Sequence, residues 1–372
     1  MRTVLIIGAG GSLAQAQTYR PTRTRLHPPL DLNFFQRARA LAESDAAIDE
    51  SLTELRSAID RSAHFTYPWE PVLVPMEQFF ADVYFEVATT HDEMHLAVYR
   101  ALLRLYIRVL AETTNWMLLH KSAGGLDRLV RQELRRAAGD KLTIVTFNQD
   151  LVLESVAARI SRQWGRWCLR AFYGDPPLTE LVARPSKTPT FPLHSASCLH
   201  QPPFKLLKLH GSINWATKSR DREMKRSRLF PGPVAAVHVL NGRLIPLQRE
   251  RVLRASGPGR RPWYLSSLVV PPIYDKQQVT GTSVLQHLWQ DARESISSAD
   301  RLVLVGYSLP DSDVGGKQML RRAFGENAQP DCVECVNPDA AMAAKLKDVL
   351  GARVVRLYDS VETYLRHAGD PA

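Results

Sequence analysis

Seven short runs of valine, isoleucine and leucine are the feature that most limits how this chain can fold. They cover residues 3–7, 142–146, 206–209, 268–271, 301–305, 332–336 and 353–357. Apolar residues are continuous in these runs, which is typical of parallel strands with both faces covered by helices. Segments with helical spacing separate them, most clearly residues 150–162, 283–298, 315–324 and 339–350. This alternation predicts an α/β fold with a Rossmann-like, doubly wound parallel sheet.

The stretch between the first two runs differs from the rest of the chain. Residues 33–138 contain no convincing strand, and apolar positions such as Met76 and Val83 recur at helical spacing. We therefore predict a helical subdomain at 33–138, inserted into a sheet domain formed by residues 1–32 and 139–372.

Composition excludes several classes of protein. The 372 residues are 45% hydrophobic and 23% charged, which is ordinary for a soluble protein. No apolar run approaches the ~20 residues that span a bilayer, and the start lacks the features of a secretory signal. Four cysteines are too few for a disulfide framework. We expect a cytoplasmic protein with no membrane partner.

The formal net charge of +10 is concentrated in one segment. Residues 216–262 hold twelve Lys or Arg against three Asp or Glu. Such a segment either binds nucleic acid through its arginines or forms a solvated, arginine-rich loop, and we favour the loop. A second stretch, residues 174–203, is rich in Pro, Ser and Thr and is also predicted as a loop.

A glycine-rich turn, Gly8-Ala9-Gly10-Gly11-Ser12, follows the first predicted strand. Glycine lets the backbone approach a diphosphate, and exposed amides at a helix start attract negative charge. The dinucleotide fingerprint requires a third glycine where this chain has Leu13. The turn is therefore either an unusual phosphate site or a tight turn without a ligand.

Polar residues follow the other predicted strands, at the edge where open α/β sheets bind ligands. Asn148 and Asp150 either cap the next helix or face a ligand. His210, before Gly211, is a candidate acid or base near neutral pH, although most of the eleven histidines are expected at the surface or in the core. Asn337 either caps a helix that begins with proline or reaches a ribose hydroxyl.

In this order, the motifs resemble the ordered NAD-site motifs of the sirtuin family. The Gly-Tyr-Ser-Leu-Pro sequence beginning at Gly306 supplies a further loop of the resemblance. Bacterial sirtuin-like defence proteins are more similar than protein deacylases, because they share the Pro-Pro-Leu-Asp sequence ending at Asp31 and a His-Gly-Ser-Ile-Asn-Trp motif like the one at His210.

The resemblance implies that NAD⁺ is the substrate and that the bond between nicotinamide and ribose is cleaved. Asn148 would position the ribose and the attacking water, Asp150 would order the nicotinamide end, and His210 would act as the base. The residues implied to bind the dinucleotide are Gly8, Ala9, Gly10, Ser12, Asp31, Gly306, Ser308 and Asn337.

Departures from the deacylase pattern change the expected reaction. Deacylases usually carry a four-cysteine zinc module after the His-Gly motif, and residues 216–262 occupy that place here. Cys332 and Cys335 have zinc-like spacing, but a strand directs them to opposite faces, so we predict buried thiols and no zinc. Phe147 stands where deacylases usually have glutamine. Water is then the expected acceptor, so the resemblance implies an NAD⁺ hydrolase that releases nicotinamide and ADP-ribose, and formation of a cyclic product stays open.

The defence-type resemblance also implies a biological role, which is NAD depletion during phage infection. An ungated NAD⁺ hydrolase would kill its host. A homo-oligomer and a separate activating partner, such as a HerA-type ATPase, are therefore expected. Two alternatives stay open: a catalytically silent NAD-binding subunit, and a nucleic-acid-binding subunit of a defence complex. A protein deacylase ranks last.

Overall fold

The computed structural model describes twelve strands and eleven α-helices. The described residues are 1–20, 22, 27–69, 73–118, 120, 122–137, 142–160, 172–174, 179–183, 202–219, 236–240, 243–244, 251–253, 263–270, 283–311, 313–325, 332–351 and 354–367. The strands are β1 (Thr3–Ile7), β2 (Leu142–Thr146), β3 (Thr179–Ala183), β4 (Lys205–Lys208), β5 (Gly211–Ser219), β6 (Ala236–Leu240), β7 (Arg243–Leu244), β8 (Arg251–Leu253), β9 (Trp263–Val269), β10 (Arg301–Val305), β11 (Cys332–Val336) and β12 (Val354–Tyr358). The helices are α1 (Ala9–Tyr19), α2 (Phe34–Ala42), α3 (Ala46–Ser62), α4 (Met76–Thr90), α5 (Glu93–Leu118), α6 (Gly125–Arg136), α7 (Val152–Ile160), α8 (Ser283–Ser297), α9 (Val314–Gly325), α10 (Met342–Leu350) and α11 (Val361–His367).

A six-stranded parallel sheet forms the centre of the fold, in the order β12-β11-β10-β1-β2-β4. Residues 4–7 of the central strand β1 are at most 2% exposed, because the sheet is flanked by helices. Helices α1, α6, α7 and α11 are packed together, as are α8, α9 and α10. The predicted α/β fold with a Rossmann-like sheet is therefore confirmed.

Six of the seven predicted strands belong to this sheet, and the seventh does not. Residues 268–271 were expected beside the others, but Leu268 and Val269 end β9, which pairs antiparallel with β5 in a second sheet. The reason is that a short apolar run indicates only that a strand is buried. The hydrophobic pattern alone does not determine which sheet the strand joins.

The second sheet has the order β3-β6-β5-β9-β8, with β7 paired to β6. It takes β3 from residues 174–203 and β6, β7 and β8 from residues 216–262. For these strands the loop predictions are wrong, because pairing with strands distant in sequence outweighs weak local propensity. The remainder of both segments lies outside the described residues.

Helices account for the chain between β1 and β2, as the spacing predicts, and no strand occurs among the described residues of 33–137. Helix α3 packs on α2 and α5, and α4 packs on α5. Helix α6 instead contacts α1, α7 and α11, beside the parallel sheet. The boundaries 33–138 of a separate subdomain stay a prediction.

The described helices include none that is both long and apolar enough to cross a membrane. Both described cysteines are free thiols on β11, with Cys335 buried and Cys332 half-buried. Burial raises the pKa of Cys335 to about 12. Within the described ranges, no cluster of three or more His, Cys, Asp or Glu side chains is arranged to hold a metal ion.

Candidate active site

A cleft of about 1100 Å³ lies along the carboxyl edge of the parallel sheet. Strand β1 stands between β10 and β2, so β2 and β4 lie on one side of β1 and the later strands β10, β11 and β12 on the other. Such a switch point leaves a crevice outside the strand ends, where α/β proteins bind their ligands. The cleft is at the upper end of the range of ~300–1,000 Å³ that is usual for ligand sites.

All eleven residues predicted for the site line this one cleft. They are Gly8, Ala9, Gly10, Ser12, Asp31, Asn148, Asp150, His210, Gly306, Ser308 and Asn337. The sequence alone did not identify the wall formed by Met76 and Glu77 of α4 and Tyr106 of α5. It also missed Asp359, although this residue follows β12 in the same way that Asn337 follows β11.

The glycine-rich turn packs against the loop that follows β10. The N–H of Gly8 donates to Val305 O at 3.0 Å, and the N–H of Gly10 donates to Gly306 O at 3.0 Å. A Cβ on Gly8 would lie 2.6 Å from the Gly306 oxygen. Contact between these two loops therefore requires the glycines whether or not a phosphate binds. The N–H groups of Gly8 and Gly10 are occupied by these contacts, and Ala9, the first residue of α1, lines the cleft.

Asn148, Ser12 and Asp150 form a hydrogen-bonded set at the end of β2. The Asn148 amide Nδ2 donates to Gly8 O at 2.9 Å and to Ser12 Oγ at 3.0 Å. Ser12 Oγ in turn donates to Asp150 Oδ2 at 2.8 Å. Because both amide hydrogens are used, the Asn148 Oδ1 is the atom left to accept a hydrogen bond from a ligand in the cleft.

Asp150 also caps a helix, so the two interpretations offered by the sequence are not exclusive. Its Oδ1 accepts the N–H of Val152, the first residue of α7, at 2.9 Å. Asn337 Oδ1 accepts the N–H of Asp339 at 2.9 Å, which closes a turn; it does not cap a helix as one interpretation predicted, because α10 begins only at Met342. Asp31 Oδ1 accepts the N–H of Glu77 in the first turn of α4 at 2.7 Å, and burial raises the Asp31 pKa.

His210 lies against an aromatic wall of the cleft and is 7% exposed. The ring of Phe147 meets it edge-on, with the ring centres 5.1 Å apart. Phe147 also stacks on Tyr307 at 4.5 Å. The Tyr307 hydroxyl donates to Asp313 Oδ2 at 2.6 Å, and burial raises the pKa of Tyr307 well above its usual value. The Tyr307 phenol therefore stays protonated near neutral pH, and the wall of Phe147 and Tyr307 carries no charge.

The backbone around His210 is held by two other elements. Trp289 Nε1 of α8 donates to Leu209 O at 3.0 Å, and the N–H of Val270 donates to His210 O at 2.9 Å. Gly211 has φ +75°, and a Cβ there would lie 2.1 Å from Leu268 O. Only glycine fits this turn, which fixes where the histidine enters the cleft.

Carboxylates dominate the charge of the cleft. The acidic residues that line it are Asp31, Glu77, Asp150, Asp313, Asp359 and Glu362. Among the described lining residues there is no lysine or arginine. An anionic ligand must therefore be held by N–H and hydroxyl groups, and positive charge that develops in the cleft is favoured electrostatically.

Comparison with known proteins identifies no family. No protein-family model and no curated protein matches the sequence. A solved structure of Sir2 with an inhibitor, 2′-O-acetyl-ADP-ribose and a deacetylated peptide is 10% identical, with a TM-score of 0.37 over 99% of this chain and 92% of that chain. A second, from work on the mechanism and regulation of Sir2 enzymes, is 12% identical, with a TM-score of 0.37 over 98% and 88%. The α/β fold follows from the strand order of the sheet itself.

Proposed function

We propose that this protein is a sirtuin-like NAD⁺ hydrolase that releases nicotinamide and ADP-ribose. The observation that carries the proposal is the hydrogen-bonded set of Asn148, Ser12 and Asp150, which shares one cleft with His210. The sequence motifs that resemble the sirtuin NAD site support it, because all of them meet in that cleft.

The order of the strands suggests how the dinucleotide lies. Asn148 and His210 follow β2 and β4, on one side of β1, and Ser308 and Asn337 follow β10 and β11 on the other. The nicotinamide ribose would lie on the first side and the adenosine on the second. The diphosphate would then cross the start of α1, where the Ala9 N–H and the helix dipole attract negative charge.

Cleavage of the nicotinamide–ribose bond develops positive charge on the sugar. Asn148 Oδ1 would accept a hydrogen bond from a ribose hydroxyl or from the attacking water, which holds the reacting atoms in place. His210 would take a proton from that hydroxyl or water. Asp150, with the other carboxylates of the cleft, would stabilise the cationic sugar.

Hydrolysis is favoured over acyl-lysine chemistry by the position of Phe147. Its ring is stacked on Tyr307 and edge-on to His210, so an apolar wall stands where deacylases usually have glutamine. Water is small enough to reach the sugar beside such a wall.

The sequence resemblance also supports a proposal for the biological role of the protein in the cell. The protein would deplete cytoplasmic NAD⁺ during phage infection. Its activity would be gated by oligomerisation or by a separate partner such as a HerA-type ATPase. A role of residues 216–262 in binding nucleic acid also stays a proposal.

The test is nicotinamide release from NAD⁺ by the purified protein, alone and with the product of a neighbouring gene. We expect Asn148→Ala and His210→Ala each to reduce turnover about 10²- to 10⁴-fold, with an unchanged circular dichroism spectrum. His64→Ala, at a histidine whose side chain is 50% exposed, is the control and should keep full activity. NAD⁺ binding without turnover under every condition would leave a silent binding subunit and contradict the proposal.

A further inference from the structure

A buried ion pair lies directly behind the cleft. Lys208, the last residue of β4, places its Nζ 2.8 Å from Glu154 Oε1 in α7. The two side chains are 1% and 2% exposed. Removing two charges from water costs several kcal/mol for each ion, so an apolar pair of similar size is often equally stable or more so. Net stability is thus a poor explanation for this pair.

The pair is also incompletely satisfied. The Tyr173 hydroxyl donates to Glu154 Oε1 at 3.1 Å, but Glu154 Oε2 has no partner among the described residues. Burial raises the Glu154 pKa, and Lys208 opposes that shift. Missing hydrogen bonds of this kind make a buried pair more costly.

Lys208 has a second contact, and this one leads to the cleft. Its Nζ donates to the backbone carbonyl of Asp150. The carboxylate of Asp150 is held by Ser12 Oγ and by the N–H of Val152. Asp150 is therefore fixed at its carbonyl by Lys208 and at its carboxylate by α1 and α7.

The position of Lys208 in the chain connects two halves of the site. It lies two residues before His210, on the strand that carries this histidine to the cleft. Asp150 lies two residues after Asn148, on the turn that carries the asparagine. Lys208 itself is not among the residues that line the cleft. Among the described residues of the site, its side chain contacts the backbone carbonyl of Asp150.

We propose that Lys208 is a positioning residue of the site, whose ammonium group holds the Asn148–Asp150 turn in register with His210. The assignment rests on the proposed NAD⁺ hydrolase function. Glu154 holds the lysine side chain so that its Nζ is aimed at the carbonyl. The main role of the ion pair is thus to hold the Asn148–Asp150 turn in place beside His210, and not to stabilise the fold.

The experiment separates positioning from stability by comparing Lys208→Met with the double variant Lys208→Met/Glu154→Gln. The single variant leaves a buried carboxylate without its partner, so we expect its melting temperature to fall. The double variant removes both charges at similar volume and should recover the wild-type melting temperature. It still lacks the donor to Asp150, so its kcat should stay about 10- to 100-fold below wild type, with KM for NAD⁺ within about twofold because the dinucleotide contacts remain.

A matched control is available on the same strand. Lys205→Met breaks the ion pair between Lys205 and Asp291, which is 2.7 Å long, without touching Asp150. This variant should keep the wild-type kcat. A double variant with recovered melting temperature and full kcat overturns the positioning role while the hydrolase function stands. Wild-type protein that shows no turnover overturns the proposed function, and the role of Lys208 with it.

Discussion

Single residues at the ends of the parallel strands combine two roles in this protein. Asp150 caps α7 and also accepts the hydrogen bond that orients Ser12 beside Asn148. Asn337 stabilises the turn after β11 and lines the same cleft. Hydrogen bonds within the fold therefore do not keep these side chains out of the cleft, because a carboxylate or amide has more than one polar atom.

We expect the replacement of Gly306 by alanine, a change of one methyl group, to damage the site severely. Gly306 has φ +58°, and a Cβ there would lie 2.4 Å from Gly10 C and from Gly11 N. Gly306→Ala must therefore push the glycine-rich turn away from the loop after β10. We expect turnover of NAD⁺ to be abolished and the free energy of unfolding, measured in urea, to fall by more than the ~1 kcal/mol that positive φ alone costs alanine.

Gly351 provides the matched control for this prediction. Its φ of +82° is also positive, but a Cβ there would meet no atom within 4 Å. Gly351→Ala should cost only the backbone strain and leave turnover unchanged. Equal effects of the two substitutions would show that the loop contact does not matter.

At the scale of elements, helix α1 is held by polar contacts more than by apolar packing. Its buried residues are Gly11, Ser12, Gln15 and Ala16. Gln15 Nε2 donates to Asp127 Oδ2 of α6 at 2.5 Å, and Gln15 Oε1 accepts the N–H of Leu126 at 2.8 Å. Arg159 of α7 donates to both oxygens of Asp127, at 2.7 and 3.1 Å. One buried carboxylate thus joins three helices beside the cleft.

Removing that carboxylate should be costly. Asp127→Ala leaves the guanidinium of Arg159, whose side chain is 12% exposed, without its counter-charge. We expect the free energy of unfolding to fall by about 3–5 kcal/mol, the usual cost of breaking a buried pair. Urea denaturation followed by circular dichroism measures it. Arg321→Ala breaks an exposed pair with Asp348 and should cost under about 1 kcal/mol; a similar loss in both variants would argue against the role of Asp127.

At the scale of the whole molecule, buried tyrosines limit stability in alkali. Burial raises the pKa of Tyr99, Tyr106, Tyr173, Tyr307 and Tyr364 above the ordinary value of 10.0. A raised folded-state pKa means that the unfolded chain loses the phenolic protons first. The contribution of the protonated tyrosines to the free energy of unfolding is therefore fully present below about pH 10 and is lost as the pH rises further.

The prediction is a urea midpoint that declines steadily between about pH 10 and 11.5, and more steeply than for a protein with exposed tyrosines. Tyr99→Phe isolates one contribution, because the Tyr99 hydroxyl is buried with no hydrogen-bond partner among the described residues. This variant should slightly exceed the wild-type midpoint at pH 8, because a buried hydroxyl without a partner is removed, and exceed it by a larger margin at pH 11. A wild-type midpoint independent of pH over this range would refute the prediction.

The sequence by itself determined the parallel sheet and the residues at its carboxyl edge. Continuous apolar runs fit a strand covered on both faces, and six of the seven runs form such strands. The chain leaves each parallel strand at the same edge of the sheet. Polar residues that come just after the apolar runs must therefore lie close together. Asn148, His210 and Asn337 were predictable for this reason.

Tertiary structure decided the rest. Leu268 and Val269, from the run at 268–271, belong to the second sheet, because the partner strand β5 and not the apolar pattern selects the pairing. The wall of Glu77 and Tyr106 depends on how α4 and α5 pack over the cleft. The local sequence shows Lys208 only as one of two lysines at the ends of a short strand, and only the fold brings Glu154 and the Asp150 carbonyl to its ammonium group. Local pattern fixes which residues are buried, whereas contacts between distant segments fix what they are buried against.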